Sequence, residues 1–311
     1  MIPPEFIERL RLIVPGEDIE GVMSGFSLQD ALTIRVNPLK TATLDLLSPF
    51  REMGADLEPV DWCPSAFIIS GLAHAEISHH PLAGQGKIYQ QSLSSLIPAI
   101  ILDPRPGESV LDACAAPGSK TAQMSAMMKN EGVIVAVEAV RSRFFRLKAV
   151  CELMGAGNVT SKLCDIRRFR SPEGMMFERV LVDAPCSSEG RFKEQDPDSV
   201  SYWSLRKIKE MSYKQKGILM SASRHLKPAG TLVYSTCTFA PEENEEVVDW
   251  FLRKSEGLFT LEDIALAGVP AYPCVTHWGR AVFDPQVRKC LRVKPVRGYS
   301  GFFVAKFRRK H

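Results

Sequence analysis

From residue 110 onward, short apolar runs alternate with longer stretches of helical period. Val110–Cys114, Val133–Glu138, Val159–Asp165, Arg179–Ala184 and Thr231–Cys237 are strand-like, while Lys120–Lys129, Ser142–Met154 and Leu205–Leu226 gather apolar residues on one helical face. Strands apolar on both sides, alternating with amphipathic helices, predict a parallel sheet covered by helices on each face. The expected class is α/β, with a doubly wound, Rossmann-like sheet.

The first hundred residues read differently. Ile7–Val14 has the pattern of a short amphipathic helix, Thr33–Val36 that of a strand ended by Asn37-Pro38, and Leu44–Met53 that of a helix. Ala66–Ser70 is a further strand, after the turn-prone Asp61-Trp62-Cys63-Pro64. These predict a smaller N-terminal α/β module over residues 1–103 and the larger sheet domain over 104–311. The turn-forming segment Leu102-Asp103-Pro104-Arg105-Pro106-Gly107-Glu108-Ser109 marks the boundary. No internal repeat or low-complexity tract interrupts either part.

Composition adds exclusions. With 311 residues, 45% of them hydrophobic and 24% charged, the chain can bury roughly 75% of its unfolded surface and needs no disulfide or metal staple. No run approaches the ~20 apolar residues of a membrane span, and Glu5, Glu8 and Arg9 leave no signal-peptide core. A soluble, cytoplasmic monomer without membrane contact is expected. Cys63, Cys114, Cys151, Cys164, Cys186, Cys237, Cys274 and Cys290 form no C-x-x-C pair and have no histidine at ligand spacing. Free thiols are expected and no metal. The formal charge of +3, from 39 Lys+Arg against 36 Asp+Glu, permits a nucleic-acid partner without requiring one.

Ligands of doubly wound sheets bind beyond the carboxyl ends of the strands, so the chemistry is sought there. The first strand runs into Asp112-Ala113-Cys114-Ala115-Ala116-Pro117-Gly118-Ser119-Lys120-Thr121, whose small side chains admit a ligand to the backbone and to a helix N-terminus. Glu138 ends the second strand, 20 residues after Gly118, and Asp165 ends the third. Singly these acids could cap turns; together they describe a nucleoside-bearing cofactor, with a nicotinamide dinucleotide still open. The fourth and fifth strands end in Asp183-Ala184-Pro185-Cys186 and Thr236-Cys237-Thr238, so both thiols project toward the cofactor edge. A thiolate there can activate a pyrimidine ring by adding to a ring carbon. The acids of Glu242-Glu243-Asn244-Glu245-Glu246 are explained by complementarity to a helix dipole and carry no assigned chemistry.

The segments LDACAAPGSKT, VEAVRSRF, DAPCSSEG and VYSTCTFAPEENEEVVDWF, in this order over about residues 80–307, resemble the Nol/Nop/Sun family of RNA cytosine-C5 methyltransferases. EFIERL, IRVNPLK and the stretch from WCP to HPLAGQGKIYQQS are similar to its bacterial small-subunit rRNA methyltransferase F group. The resemblance implies an S-adenosyl-L-methionine-dependent methyltransferase domain, an RNA-binding N-terminal module, and rRNA or tRNA as the partner. It implies cofactor contacts at Cys114, Ala115, Ala116, Pro117, Gly118, Ser119, Lys120, Glu138, Arg143, Asp165 and Asp183, with Glu138 on the ribose and Asp165 on the adenine side. It makes Cys237 the nucleophile, Cys186 the thiol that assists product release, and Lys120 a neighbour of the target base. On that basis Cys237 attacks carbon 6, Asp183 supports nitrogen 3, and Cys186 or a water it positions takes the carbon 5 proton.

The chain departs from the family pattern at Gln90-Gln91-Ser92, where relatives have an acid after glutamine, at Lys193-Glu194-Gln195 in place of an arginine-lysine run, and at Val296 after Pro295. All three lie in segments expected to meet RNA. Members of the F group usually carry a further C-terminal RNA-binding domain, which these residues do not include. The stretch Arg288–His311 has nine lysines and arginines and no acid, and is expected to present a phosphate-binding face. His79-His80 reads as a polar turn. A non-catalytic RNA-binding assembly factor is the competing class, disfavoured because both cysteines, Asp183 and the Pro-Gly loop are present; a nicotinamide oxidoreductase would leave Cys186 and Cys237 unexplained.

Overall fold

The computed structural model describes residues 2–27 and 31–311. After two short helices, Pro4–Ile13 and Ile19–Ser27, strands β1 (Leu32–Val36), β2 (Asp56–Val60), β3 (Cys63–Ser70) and β4 (Ile88–Gln90) form an antiparallel sheet in the order β2-β3-β1-β4. Cys63 and Pro64 open β3 where the sequence suggested a turn. The helix Leu44–Glu52 buries Phe50 beneath this sheet. His80 is a turn residue: its Nδ1 accepts from the Leu82 N–H at 3.2 Å and its ring stacks on Phe50.

The larger sheet begins with β5 (Ser109–Asp112), β6 (Val133–Glu138), β7 (Val159–Leu163), β8 (Phe177–Asp183) and β9 (Leu226–Thr236), all parallel. Their side chains alternate between two cores, with Leu111, Val135, Val180 and Leu232 on one face and Val110, Ile134, Leu181 and Val233 on the other. This two-sided burial is why the sequence reads as continuous apolar runs. The helix Leu93–Leu102 packs on the second face, against Val110 and Met124, so the segment joining the two sheets is part of the larger core. β5 lies between β6 and β8, so the chain order reverses there and opens a crevice beyond the carboxyl ends of β5 and β8.

The parallel strands are only part of the sheet. Beyond β9 come β10 (Phe259–Glu262), β11 (Ala271–Tyr272), a small hairpin of β12 (His277–Trp278) and β13 (Ala281–Val282), then β14 (Leu291–Val293) and β15 (Phe302–Arg309). β15 pairs antiparallel with β9, and β10, β14 and β11 extend that edge, giving nine strands in a mixed sheet. Most cations of the expected phosphate-binding face over 288–311 are engaged within the chain instead. Arg292 is buried against Glu245 at 2.6 Å, Lys306 and Arg308 pair with Glu262, Arg297 with Glu58 and Lys294 with Asp18, while Arg309 donates to the Leu226 carbonyl. The acids that neutralise this stretch come from distant parts of the chain, so its local composition is misleading.

Arg292 also donates to the Phe239 carbonyl at 2.9 Å, which ties β14 to the loop after β9. Both partners of the Arg292–Glu245 pair are essentially inaccessible, and removing one leaves a buried charge unpaired. Glu245→Gln is expected to lower stability by about 3–5 kcal/mol, whereas replacing both residues with apolar ones of similar volume costs less; chemical denaturation of the variants measures the difference.

Candidate active site

Two strand ends bring the cysteines together. Cys186 follows β8 and Cys237 follows β9, and their sulfurs lie 3.3 Å apart. The Ser188 hydroxyl adds a contact to Cys237 at 3.7 Å, and the Arg191 guanidinium stands beside the same sulfur. The hydrogen bond from Cys186 lowers the Cys237 thiol to about 6 against the opposing effect of burial, with Arg191 favouring and Asp183 disfavouring the thiolate. The same contact raises Cys186 well above the usual thiol range, helped by burial. The pair thus holds one proton on Cys186 and offers Cys237 as the anion.

Asp183, at the end of β8, accepts from Lys120 Nζ at 2.7 Å and from the Ser235 hydroxyl at 2.8 Å. Lys120 is buried in the first turn of the helix Ser119–Met127, where Asp183 and Ser95 take its ammonium in place of solvent. Lys120, Asp183, Cys186 and Cys237 line one cavity of about 460 Å³, together with Arg143, Arg146, Arg191 and Ser95. Cys114, Ala116, Pro117 and Ser119 of the loop after β5 line it as well.

A smaller cavity of about 50 Å³ joins it through Cys114, Arg143 and Pro185, and contains Glu138 and Asp165. Glu138 is buried and accepts from the Val140 N–H at 2.8 Å and the Ala116 N–H at 3.4 Å, while Arg143 donates to the Ala116 carbonyl. Asp165 caps the short turn Ile166–Arg168 and pairs with Arg167 at 2.6 Å, which holds its carboxyl below the usual range. Its capping reading and its cavity position hold together. The joined cavities suit a long nucleoside-bearing ligand: a carboxylate lies at one end and the thiols at the other. Ala115 and Gly118 do not line either of these two. Gly118 has φ of 108°, and a Cβ there would meet Leu147 and Val150 at 3.2 Å, so its part is to let the loop turn against the helix Arg141–Met154.

Several residues without an assigned role in the sequence shape this site. Glu243 accepts from the Ser187 N–H at 3.0 Å and from Gln215 at 2.7 Å, and Gln215 donates onward to the Pro185 carbonyl. Glu189 accepts from Trp203, Thr238 and the Phe239 N–H, at 2.8, 2.8 and 3.1 Å. Ser187 and Thr238 hydroxyls meet at 2.8 Å. These contacts clamp the two cysteine loops. The acidic run is therefore more than a dipole partner: Glu242 pairs with Arg9, Glu245 with Arg292 and Glu246 with Lys216. The only local signals were the glutamates themselves and Arg191 shortly after Cys186.

These features define a Rossmann-like fold with a two-thiol crevice. A solved structure from Pyrococcus horikoshii described as a methyltransferase homologue superposes with a TM-score of 0.82 at 28% identity, covering 99% of this chain and 100% of that one. The family model for 16S rRNA methyltransferase RsmB/F matches residues 99–308, and the chain belongs to that family. It is 36% identical to the ribosomal RNA small subunit methyltransferase F of Vibrio parahaemolyticus over all of this chain and 64% of the relative's length. It is 38% identical to the tRNA (cytosine(49)-C(5))-methyltransferase of Pyrococcus abyssi over 89% of this chain and 88% of that protein.

Two pH dependences follow. Alkylation of Cys237, followed by peptide mass spectrometry, should rise through about pH 6 and level off above it; in Cys186→Ala the midpoint should move upward. Glu243 is pushed up to about 8 by burial, with Glu189 adding to the effect. A carboxyl raised in the folded state binds more protons folded than unfolded, so its contribution is full below its ordinary value and is lost as pH rises to about 8. Glu243→Gln should flatten the fall in stability between pH 5 and 8, read by denaturation at each pH.

Proposed function

We propose that this protein methylates carbon 5 of a cytosine in structured RNA, using S-adenosyl-L-methionine and a covalent adduct at Cys237. The observation that carries the reading is the 3.3 Å contact of Cys186 and Cys237 across from the Lys120–Asp183 pair. When bound, S-adenosyl-L-methionine supplies an electrophilic sulfonium methyl group, and Glu138, Asp165, Arg143 and the Cys114–Lys120 loop would hold it.

The protein's own groups account for the rest. Carbon 5 of cytosine is a poor nucleophile until the Cys237 thiolate adds to carbon 6, forming a sulfur–carbon bond and moving the ring electrons toward nitrogen 3. Asp183, already accepting from Lys120 and Ser235, suits the 4-amino group of the base, and the Lys120 ammonium suits the developing charge at nitrogen 3. Cys186, or a water it positions, then takes the carbon 5 proton, and the electron pair left on carbon 5 expels Cys237 as the thiolate.

The target base must leave its stack to reach these groups. A second cavity of about 430 Å³ runs from the larger one toward the N-terminal module, past Arg191, Gln91 and Tyr89, and provides a path for the strand. Arg191, which lines both cavities, and Arg146 in the larger one are the cations placed for phosphate contacts. The small-subunit rRNA methyltransferase F relatives favour rRNA; the match to 88% of the Pyrococcus abyssi enzyme's length supports tRNA as the second reading.

Cys237→Ala should reduce methyl transfer by about 10³-fold or more and form no adduct. Cys186→Ala should accumulate RNA covalently linked to protein, visible as a shifted band on denaturing gels. The opposite assignment of adducts would reverse the two thiols. Bisulfite sequencing of total RNA from cells with and without the gene identifies the nucleotide, and loss at a tRNA site alone would favour the second reading.

A further inference from the structure

Lys120 has a second partner besides Asp183. Its ammonium also donates to the Ser95 hydroxyl at 2.9 Å, and Ser95 lies on the helix Leu93–Leu102 that follows the N-terminal sheet. The Gln91 amide nitrogen donates to the Ser95 carbonyl at 3.2 Å and faces its hydroxyl at 3.4 Å, while the Gln91 amide oxygen accepts from Arg35 Nε at 3.3 Å. Gln91 is fixed as well by backbone exchange with Thr33, whose hydroxyl donates to the Gln91 carbonyl at 2.6 Å. Arg35 and Thr33 both belong to β1.

Every member of this chain from Arg35 to Lys120 is buried. Arg35 is the least compensated: it is 1% exposed, its Nη2 has no hydrogen-bond partner among the described residues, and burial lowers it to about 10. A guanidinium in such surroundings is costly, which makes the few contacts it has stringent in geometry. Gln91 and Ser95 also line the 430 Å³ cavity, so the chain borders the proposed strand path.

We propose that Ser95, held by Gln91 and Arg35 of the N-terminal module, is a positioning residue that sets the Lys120 ammonium against Asp183. The smaller sheet then bears on catalysis through Ser95, which lines the 460 Å³ cavity of the two thiols as well. The inference deepens the proposed methyl transfer and rests on that reading for its catalytic meaning, but the placement itself has a separate readout. Cys237 faces Cys186, Arg191, Ser188 and Asp183. A looser Lys120 neutralises Asp183 less, and the unneutralised carboxylate disfavours the Cys237 thiolate.

Three variants test this in the 311-residue chain. In Ser95→Ala the midpoint of Cys237 alkylation by iodoacetamide should rise by about half a pH unit, and kcat for transfer to RNA should fall about 10-fold with KM for S-adenosyl-L-methionine within about twofold of wild type. Ser95→Thr, which retains the hydroxyl, should restore both. Gln91→Glu keeps an acceptor for Arg35 and removes the N–H donated to Ser95, and should shift the midpoint in the same direction; thermal unfolding confirms that each variant is folded. An unchanged midpoint in folded Ser95→Ala, or failure of Ser95→Thr to restore it, overturns the inference. Absence of transfer by wild-type protein to any cellular RNA would instead refute the methyltransferase reading, while the alkylation midpoints still decide whether Ser95 sets Lys120.

Discussion

The contact between the Cys186 and Cys237 sulfurs is the constraint on which the site depends. Two loops, each leaving its own parallel strand, must be held within a hydrogen bond of one another over the same crevice. Backbone pairing of β8 and β9 brings them near and fixes Asp183 opposite Ser235. It does not set the loop tips, and for that the chain uses buried polar clamps. Glu243 holds the Cys186 side, Glu189 holds the Cys237 side, and the Ser187–Thr238 pair joins them. A backbone bond from the Gly190 N–H to the Cys237 carbonyl completes the arrangement, at a position where a Cβ would strike the Gly301 carbonyl oxygen at 2.0 Å.

Burial raises the thiols that border the site. It pushes Cys151 up to about 12 and raises Cys114, which borders both joined cavities, beyond that range. Cys237 is also buried and yet moves the other way, because a neighbouring thiol donates to it and a guanidinium faces it. Reactivity here is created by the partners of the sulfur and not by access to solvent. All eight cysteines are free, so the distinction is electrostatic and does not arise from disulfide pairing.

The same economy of partners explains the charge distribution. Lysines and arginines that look like an RNA-facing tail are instead used to hold β14 and β15 to the sheet and to the helix Glu245–Lys254. Among the cations that line the larger cavity, Arg143 and Arg146 lie one turn apart on the helix Arg141–Met154, and Arg191 comes from the turn after Cys186. Among the described residues no helix is long and apolar enough to cross a membrane, and no group of three or more histidine, cysteine or acidic side chains could hold a metal ion.

The sequence by itself determined the parallel strands, the crevice at their carboxyl ends and the residues that enter it. Two-sided apolar strands and the periodic helices between them are local consequences of burial, and strand-end positions follow from direction alone. The Cys114–Lys120 loop, Glu138, Asp183, Cys186 and Cys237 were legible for that reason. Tertiary structure decided everything that depends on which distant groups meet. The antiparallel edge built from residues 259–309 was hidden because its cations find their acids on other elements. The clamps of Glu189 and Glu243, the place of Arg191 beside Cys237 and the path from Arg35 to Lys120 all join residues remote along the chain, and hydrogen-bond partners of that kind leave no period or spacing to read.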